Sequence, residues 1–251
     1  MSPVAADIAA PARTAVRFER LDALRGVAIV WMVVFHFCFD LNHFRFISQN
    51  FYHDPVWTWQ RSCIVSLFLF CAGLGQAVAW SQGQGWPRFW RRWGQVAGCA
   101  LLVTAGSYLI FPKSYITFGV LHGIAVMLIV VRLTSNAGRW LWLMGAVALL
   151  LPHVARDAWF NAPGPHFIGL VTHKPVTEDW VPLLPWIGIM WWGMAAGQWV
   201  LGQRRVWLEG SVPAAARPLA LLGRWSLSIY MLHQPLFFGL LSAVVWARSN
   251  F

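Results

Sequence analysis

Leu21–Phe44 reads LDALRGVAIVWMVVFHFCFDLNHF, a membrane-length apolar stretch that carries five titratable groups. On a helix advancing roughly 100° per residue, Asp22, Arg25, His36, Asp40 and His43 fall in one stripe about 60° wide. The remaining faces are Val, Ile, Trp, Phe and Met. A charge at the middle of a bilayer helix costs about 2.5–3.5 kcal/mol even on lenient insertion scales, so a continuous polar stripe predicts a hydrated or protein-lined interior space. Asp22 and Arg25 stand three residues apart at the entry, close enough to pair. His36 and Asp40 form an i,i+4 pair roughly 16–22 Å further along the axis. A carboxylate one turn from an imidazole holds its tautomer and raises its basicity, which marks His36 as a candidate base. The competing reading is a polar pair that joins two helices.

The whole chain shares this character. Its 251 residues are 58% hydrophobic and 11% charged, with 18 Trp and 17 Phe. That is too little charge for a soluble domain and predicts an all-α, polytopic membrane helix bundle. Windows of about 20 residues place spans near 22–43, 57–80, 95–111, 116–134, 139–152, 183–202 and 219–246, about seven transmembrane helices with a short fifth. The net charge of +10 raises the question of nucleic acid. The arginines cluster in short loops at helix ends, as the positive-inside rule requires, so no nucleic-acid partner is expected. With the N-terminus inside, eleven Arg residues fall on the inner side against five Arg and Lys on the outer, which predicts N-in/C-out. Residues 1–16, rich in Ala, Pro and Ser, read as a disordered cytoplasmic tail without a signal-peptide pattern, leaving 17–251 as one transmembrane domain. Cys38, Cys63, Cys71 and Cys99 sit in apolar segments without CxxC spacing, so neither a disulfide framework nor a metal site is expected.

That orientation puts His36 and Asp40 in the outer half of the first span. Arg61 lies one turn into the second span from the outer side, and His122, in FGVLHGIAV, about two turns in from the same side. The loop NHFRFISQNFYHDPVW adds His43, Tyr52, His53 and Asp54, and the expectation is a shared outward-facing pocket. The last span, LLGRWSLSIYMLHQPLFFGLL, brings Ser226, Tyr230 and His233 to one face, with a kink or a freed carbonyl expected near Pro235. His233 either continues a polar route from the inner side or makes a packing hydrogen bond. Gly73, Gly75, Gly188, Gly193 and Gly197 read as close-packing positions. No Walker loop, GxSxG, HExxH or GxGxxG is present.

Taken in order, RFERLDALRGVAIVWMVVFHFCFDL, FYHDPVW, SLFLFCAGLGQ, FGVLHGIAV, VPLLPWIGIMWWGMAAGQ and GRWSLSIYMLHQPL resemble the bacterial DUF1624 family, short relatives of heparan-α-glucosaminide N-acetyltransferase. The resemblance runs from about Arg17 to Trp246. It implies an inner-membrane acyltransferase that binds acetyl-CoA from the cytoplasm and acylates an amine or hydroxyl of a sugar or glycan on the periplasmic side. Membrane lipids are its surroundings, and homo-oligomer formation is left open. By position His53 resembles the family's outer-side histidine, Leu24, Arg25 and Gly26 its LRG signature, and His233 after Ser228 and Tyr230 its last-helix histidine. Where the mammalian-type enzyme carries an asparagine and glycines in the first helix, this chain has His36, Cys38 and Asp40.

The residues fit such chemistry. An acceptor loses a proton as it attacks a thioester, so His36 held by Asp40, or else His53, suits a general base, and Arg61 or His122 suits an oxyanion. Arg25, with Arg88, Arg91 and Arg92, suits the phosphates of coenzyme A, with His233 and Tyr230 on the donor side. Two other classes use the same residues. Facing histidines on separate helices, His36, His122 and His233, are also what a haem-binding membrane cytochrome uses. An aligned Asp/His relay also suits a proton-coupled transporter, although the inverted repeats expected of one are not evident.

Overall fold

A computed structural model of the chain describes residues 17–250. The tail expected over 1–16 lies outside the described residues. The architecture is all-α: α1 (Glu19–His43), α2 (Pro55–Ser81), α3 (Trp86–Ile110), α4 (Val120–Leu133), α5 (Trp140–Val154), α6 (Leu183–Gln203), α7 (Arg217–Arg224) and α8 (Ser226–Asn250). Each starts where its local sequence allows. Asp54 caps α2 by accepting from the Val56 N–H at 2.8 Å, with Pro55 at the first helical position. Glu19 and Asp22 in the first turn and His43 in the last complement the dipole of α1.

Among the described residues, α1, α2, α3 and α8 are long and apolar enough to cross a membrane, and α4 and α5 are shorter apolar helices. Length and composition alone thus single out four of the seven expected spans. At about 1.5 Å per residue, α4 and α5 are roughly 21–23 Å long, less than the hydrocarbon thickness of about 30 Å. α6 is the inner helix: Ile187, Met190 and Met194 are buried against Leu69 and Val131. Glycines set that packing. A Cβ on Gly73 would lie 2.1 Å from the Met190 carbonyl oxygen, and one on Gly193 would lie 2.2 Å from that of Phe70. Gly75 is different, because what it admits is a side chain: a Cβ there would stand 2.5 Å from Arg25 Nη2.

The last expected span, 219–246, is two helices that meet at Trp225. The break follows from how closely α7 lies on α1. A Cβ on Gly223 would come 1.7 Å from the Asp22 carbonyl oxygen, and one on Gly26 would come 1.9 Å from that of Leu219. After the break, α8 runs alongside α1 in the same direction, pairing His36 with His233, Phe37 with Phe237 and Asp40 with Gln234. It runs as one helix with Pro235 inside it.

Candidate active site

A cavity of about 450 Å³ occupies the end of the bundle where α1 begins. Arg17, Arg25, Arg88, Arg92, Arg132 and Arg224 line it, against one carboxylate, Asp22. Asp22 is 3% exposed and is bridged by Arg17 at 2.6 Å and by Arg25 at 3.4 Å, so the pairing expected at this end of the stripe is made. Arg132 is committed to the Gln84 carbonyl and to the Trp86 ring. Arg92 lies within electrostatic reach of Arg25, Arg17 and Arg88. From this basic mouth the cavity extends to Tyr230 and to Val120 and Leu121, the first residues of α4.

Beyond Tyr230 lies the polar group on α1 and α8. The His233 ring stands 5.9 Å from that of Tyr230 and 5.1 Å from that of His36. His233 Nδ1 lies 2.8 Å from the Tyr230 carbonyl oxygen and 3.2 Å from that of Ile229. His36 Nδ1, His233 Nε2, Asp40 Oδ2 and Gln234 Oε1 are buried and find no hydrogen-bond partner among the described residues. Asp40 does not hold His36 as expected. Its Oδ1 accepts from Gln234 Nε2 at 3.0 Å, because α8 presents an amide to that carboxylate across the interface. Asp40 is 0% exposed.

A third group forms where the chain enters α4. The segments before α4 and before α6 run side by side, with a parallel bridge between Phe118 and Trp180 and a bond from the Val181 N–H to the Phe118 carbonyl at 3.1 Å. This seats Asp179 at the N-terminus of α4, where Oδ2 accepts from the Val120 N–H at 2.7 Å. Burial raises the Asp179 carboxyl above its ordinary range, opposed by the Val120 N–H and by Lys174 and Arg61. Glu178 accepts from Ser114 at 2.5 Å and from the Tyr52 hydroxyl at 3.1 Å. Burial, followed by the charge of Glu178, pushes Tyr52 up to about 12. Lys174 lies over the Tyr52 ring at 5.9 Å, and burial lowers its ammonium. Tyr230, which lines the cavity, is within electrostatic reach of Asp179.

The residues expected to share one pocket are thus divided among three groups. Arg61 belongs with Tyr52, Lys174 and Asp179. His122 is a fastening: Nδ1 accepts from the Gly119 N–H at 3.3 Å, so Nε2 carries the proton and faces Thr104 Oγ1 at 3.0 Å. Neither of its nitrogens remains for a substrate. His53 is exposed on the loop before α2, its backbone N–H bonded to Asn50 Oδ1 at 3.1 Å. His43 packs among Phe44, Phe111 and Phe238. Asp179 and Gln234 were not among the sequence candidates: Asp179 lies in a loop, outside any helical period, and Gln234, one turn beyond Tyr230 in the last span, carries no charge to single it out. Among the described residues no cluster of three or more His, Cys, Asp or Glu is arranged to hold a metal ion.

An all-α bundle with membrane-length helices around an arginine-lined cavity defines the class: a helical membrane protein with a basic interior cavity. Residues 17–235 match the family described as heparan-alpha-glucosaminide N-acetyltransferase, catalytic, and the chain belongs to that family. No curated protein and no solved structure matches it.

Proposed function

We propose that the chain is a short, DUF1624-type membrane acyltransferase. It takes an acetyl or longer acyl group from acyl-coenzyme A in the arginine-lined cavity and passes it to an amine or hydroxyl of a sugar arriving from the opposite end. The observation that carries this reading is the convergence of Arg17, Arg25, Arg88 and Arg92 on one cavity, in a chain of this family. Like charges held this close repel, and an anion such as the phosphates of coenzyme A relieves the repulsion. From Arg25 to His36 is about 16 Å along α1, the distance an extended thiol arm spans to bring a thioester to Tyr230. Tyr230, at the inner end of the cavity, is placed to donate a hydrogen bond to the thioester oxygen as charge develops there.

The arginine-rich end faces the cytoplasm of a bacterial inner membrane, N-in/C-out, in keeping with eleven inner arginines against five outer basic residues. Residues 17–251 act as one domain. Tyr52, Arg61, Lys174 and Glu178 then lie on the periplasmic side, from which the acceptor comes, and His53, exposed on the loop beside Tyr52, meets it first. The attacking amine or hydroxyl forms its bond to the acyl carbon, the carbon–sulfur bond breaks, and the proton lost by the acceptor ends on the thiol of coenzyme A. Titration calorimetry of the detergent-purified protein with coenzyme A, and transfer of labelled acetyl from acetyl-CoA to glucosamine, test this. Binding is expected, and Arg92→Gln is expected to weaken it roughly 10- to 100-fold, the loss of a charge-assisted bond of about 1.5–3 kcal/mol. Wild-type protein that neither binds coenzyme A nor transfers acetyl overturns the reading.

A further inference from the structure

We infer that His233 is the residue that accepts the proton from the attacking acceptor, through Nε2, and that the adjoining His36 helps to hold the acceptor. The inference rests on the acyltransferase reading above. Its ground is the tautomer of His233. Nδ1 lies 2.8 Å and 3.2 Å from two backbone carbonyl oxygens, which only accept. In the neutral ring Nδ1 therefore bears the hydrogen and Nε2 bears the lone pair.

That lone pair is buried and unpaired among the described residues, and so is Nδ1 of His36, whose ring stands 5.1 Å away on a different helix. Leaving one buried polar atom unpaired costs about 1–3 kcal/mol, and native structures hold few of them. Two on adjoining rings of α1 and α8, one ring beyond the cavity-lining Tyr230, are accounted for by an N–H or O–H group of a substrate that comes up beside the pair. Asp40 Oδ2, one turn from His36 on α1, and Gln234 Oε1, next to His233 on α8, are also buried acceptors without a partner among the described residues. The step balances. The acceptor heteroatom bonds to the acyl carbon, its proton passes to His233 Nε2, the carbon–sulfur bond breaks, and the imidazolium returns the proton to the thiolate to give the free thiol.

Two substitutions separate the nitrogens. His233→Asn keeps a donor near the Nδ1 position for the carbonyls and removes the Nε2 lone pair, whereas His36→Gln alters the adjoining ring. Each variant is assayed for coenzyme A affinity and for kcat with two acceptors, glucosamine and hydroxylamine, the second already unprotonated and strongly nucleophilic at neutral pH. His233→Asn is expected to bind coenzyme A within about twofold of wild type and to lose about 10²- to 10⁴-fold in kcat with glucosamine, the usual span of general-base catalysis. Hydroxylamine transfer is expected to stay within roughly tenfold, since it needs little help from a base. His36→Gln is expected to raise KM for glucosamine more than it lowers kcat. Full glucosamine turnover by His233→Asn, or parallel loss of both acceptors in a protein that still binds coenzyme A, overturns the assignment while leaving the acyltransferase reading intact. Loss of coenzyme A binding and transfer in the wild type removes both.

Discussion

Asp179 spends its carboxylate on backbone rather than on a direct ion pair, accepting from the Val120 N–H at the start of α4. Its substitution separates charge from geometry. Asp179→Asn retains an oxygen for that N–H, while Asp179→Ala leaves it orphaned in a buried place, an expected loss of about 1–3 kcal/mol readable as a lower thermal midpoint. The sign of the pH dependence follows from the raised carboxyl. A group that titrates higher in the folded state than in the unfolded one binds protons preferentially when folded. Its contribution to stability is therefore greatest below the ordinary carboxylate range and declines as pH rises through the folded value. Asp179→Asn is expected to flatten that part of the stability profile in thermal melts across acidic to neutral pH, and an unchanged profile would remove Asp179 as its source. At this scale the sequence singled out His36 and Asp40 but not the groups they meet. His36 and Asp40 stand one turn apart on α1, yet the amide that engages Asp40 comes from α8, 194 residues later.

Helix packing here is decided by a few glycines that bring backbones into contact. Gly223 and Gly26 face carbonyl oxygens across the α1–α7 contact, where any Cβ overlaps main chain. Gly223→Ala is expected to destabilise by about 1–3 kcal/mol or more, as overpacking does. Gly98, in α3, faces nothing within 4 Å. Gly98→Ala is expected to be neutral or to gain up to about 1 kcal/mol from helix propensity. Thermal melts in detergent that show equal losses for both would refute this view of the packing. Periodicity located all the main helices, because a long apolar run announces itself locally. The break at Trp225 was not legible, since nothing in LLGRWSLSIYM stops a helix. It arises because α7 must follow α1 closely while α8 takes its own course.

For the whole molecule, charge distribution and shape agree. Most arginines gather at one end, and there the bundle opens into its basic cavity. The proposed orientation puts that end in the cytoplasm. Val206 and Val176 are exposed at 74% and 85% on opposite loops, and serve as single-cysteine reporters in a background cleared of the four native cysteines. A membrane-impermeant maleimide applied to the periplasmic face is expected to label Val176→Cys and to spare Val206→Cys, and the reverse pattern would invert the assignment. The sequence by itself determined the all-α membrane class, the polar stripe of α1 and the family, because hydropathy, helical period and ordered motifs are written along the chain. The tertiary structure alone decided which polar groups meet: the arginines from α1, α3, α4 and α7 around one cavity, His36 against His233, and Asp179 on α4. Each of those contacts joins residues far apart in sequence, and which side chain reaches which buried partner depends on how the helices pack, a property no single segment carries.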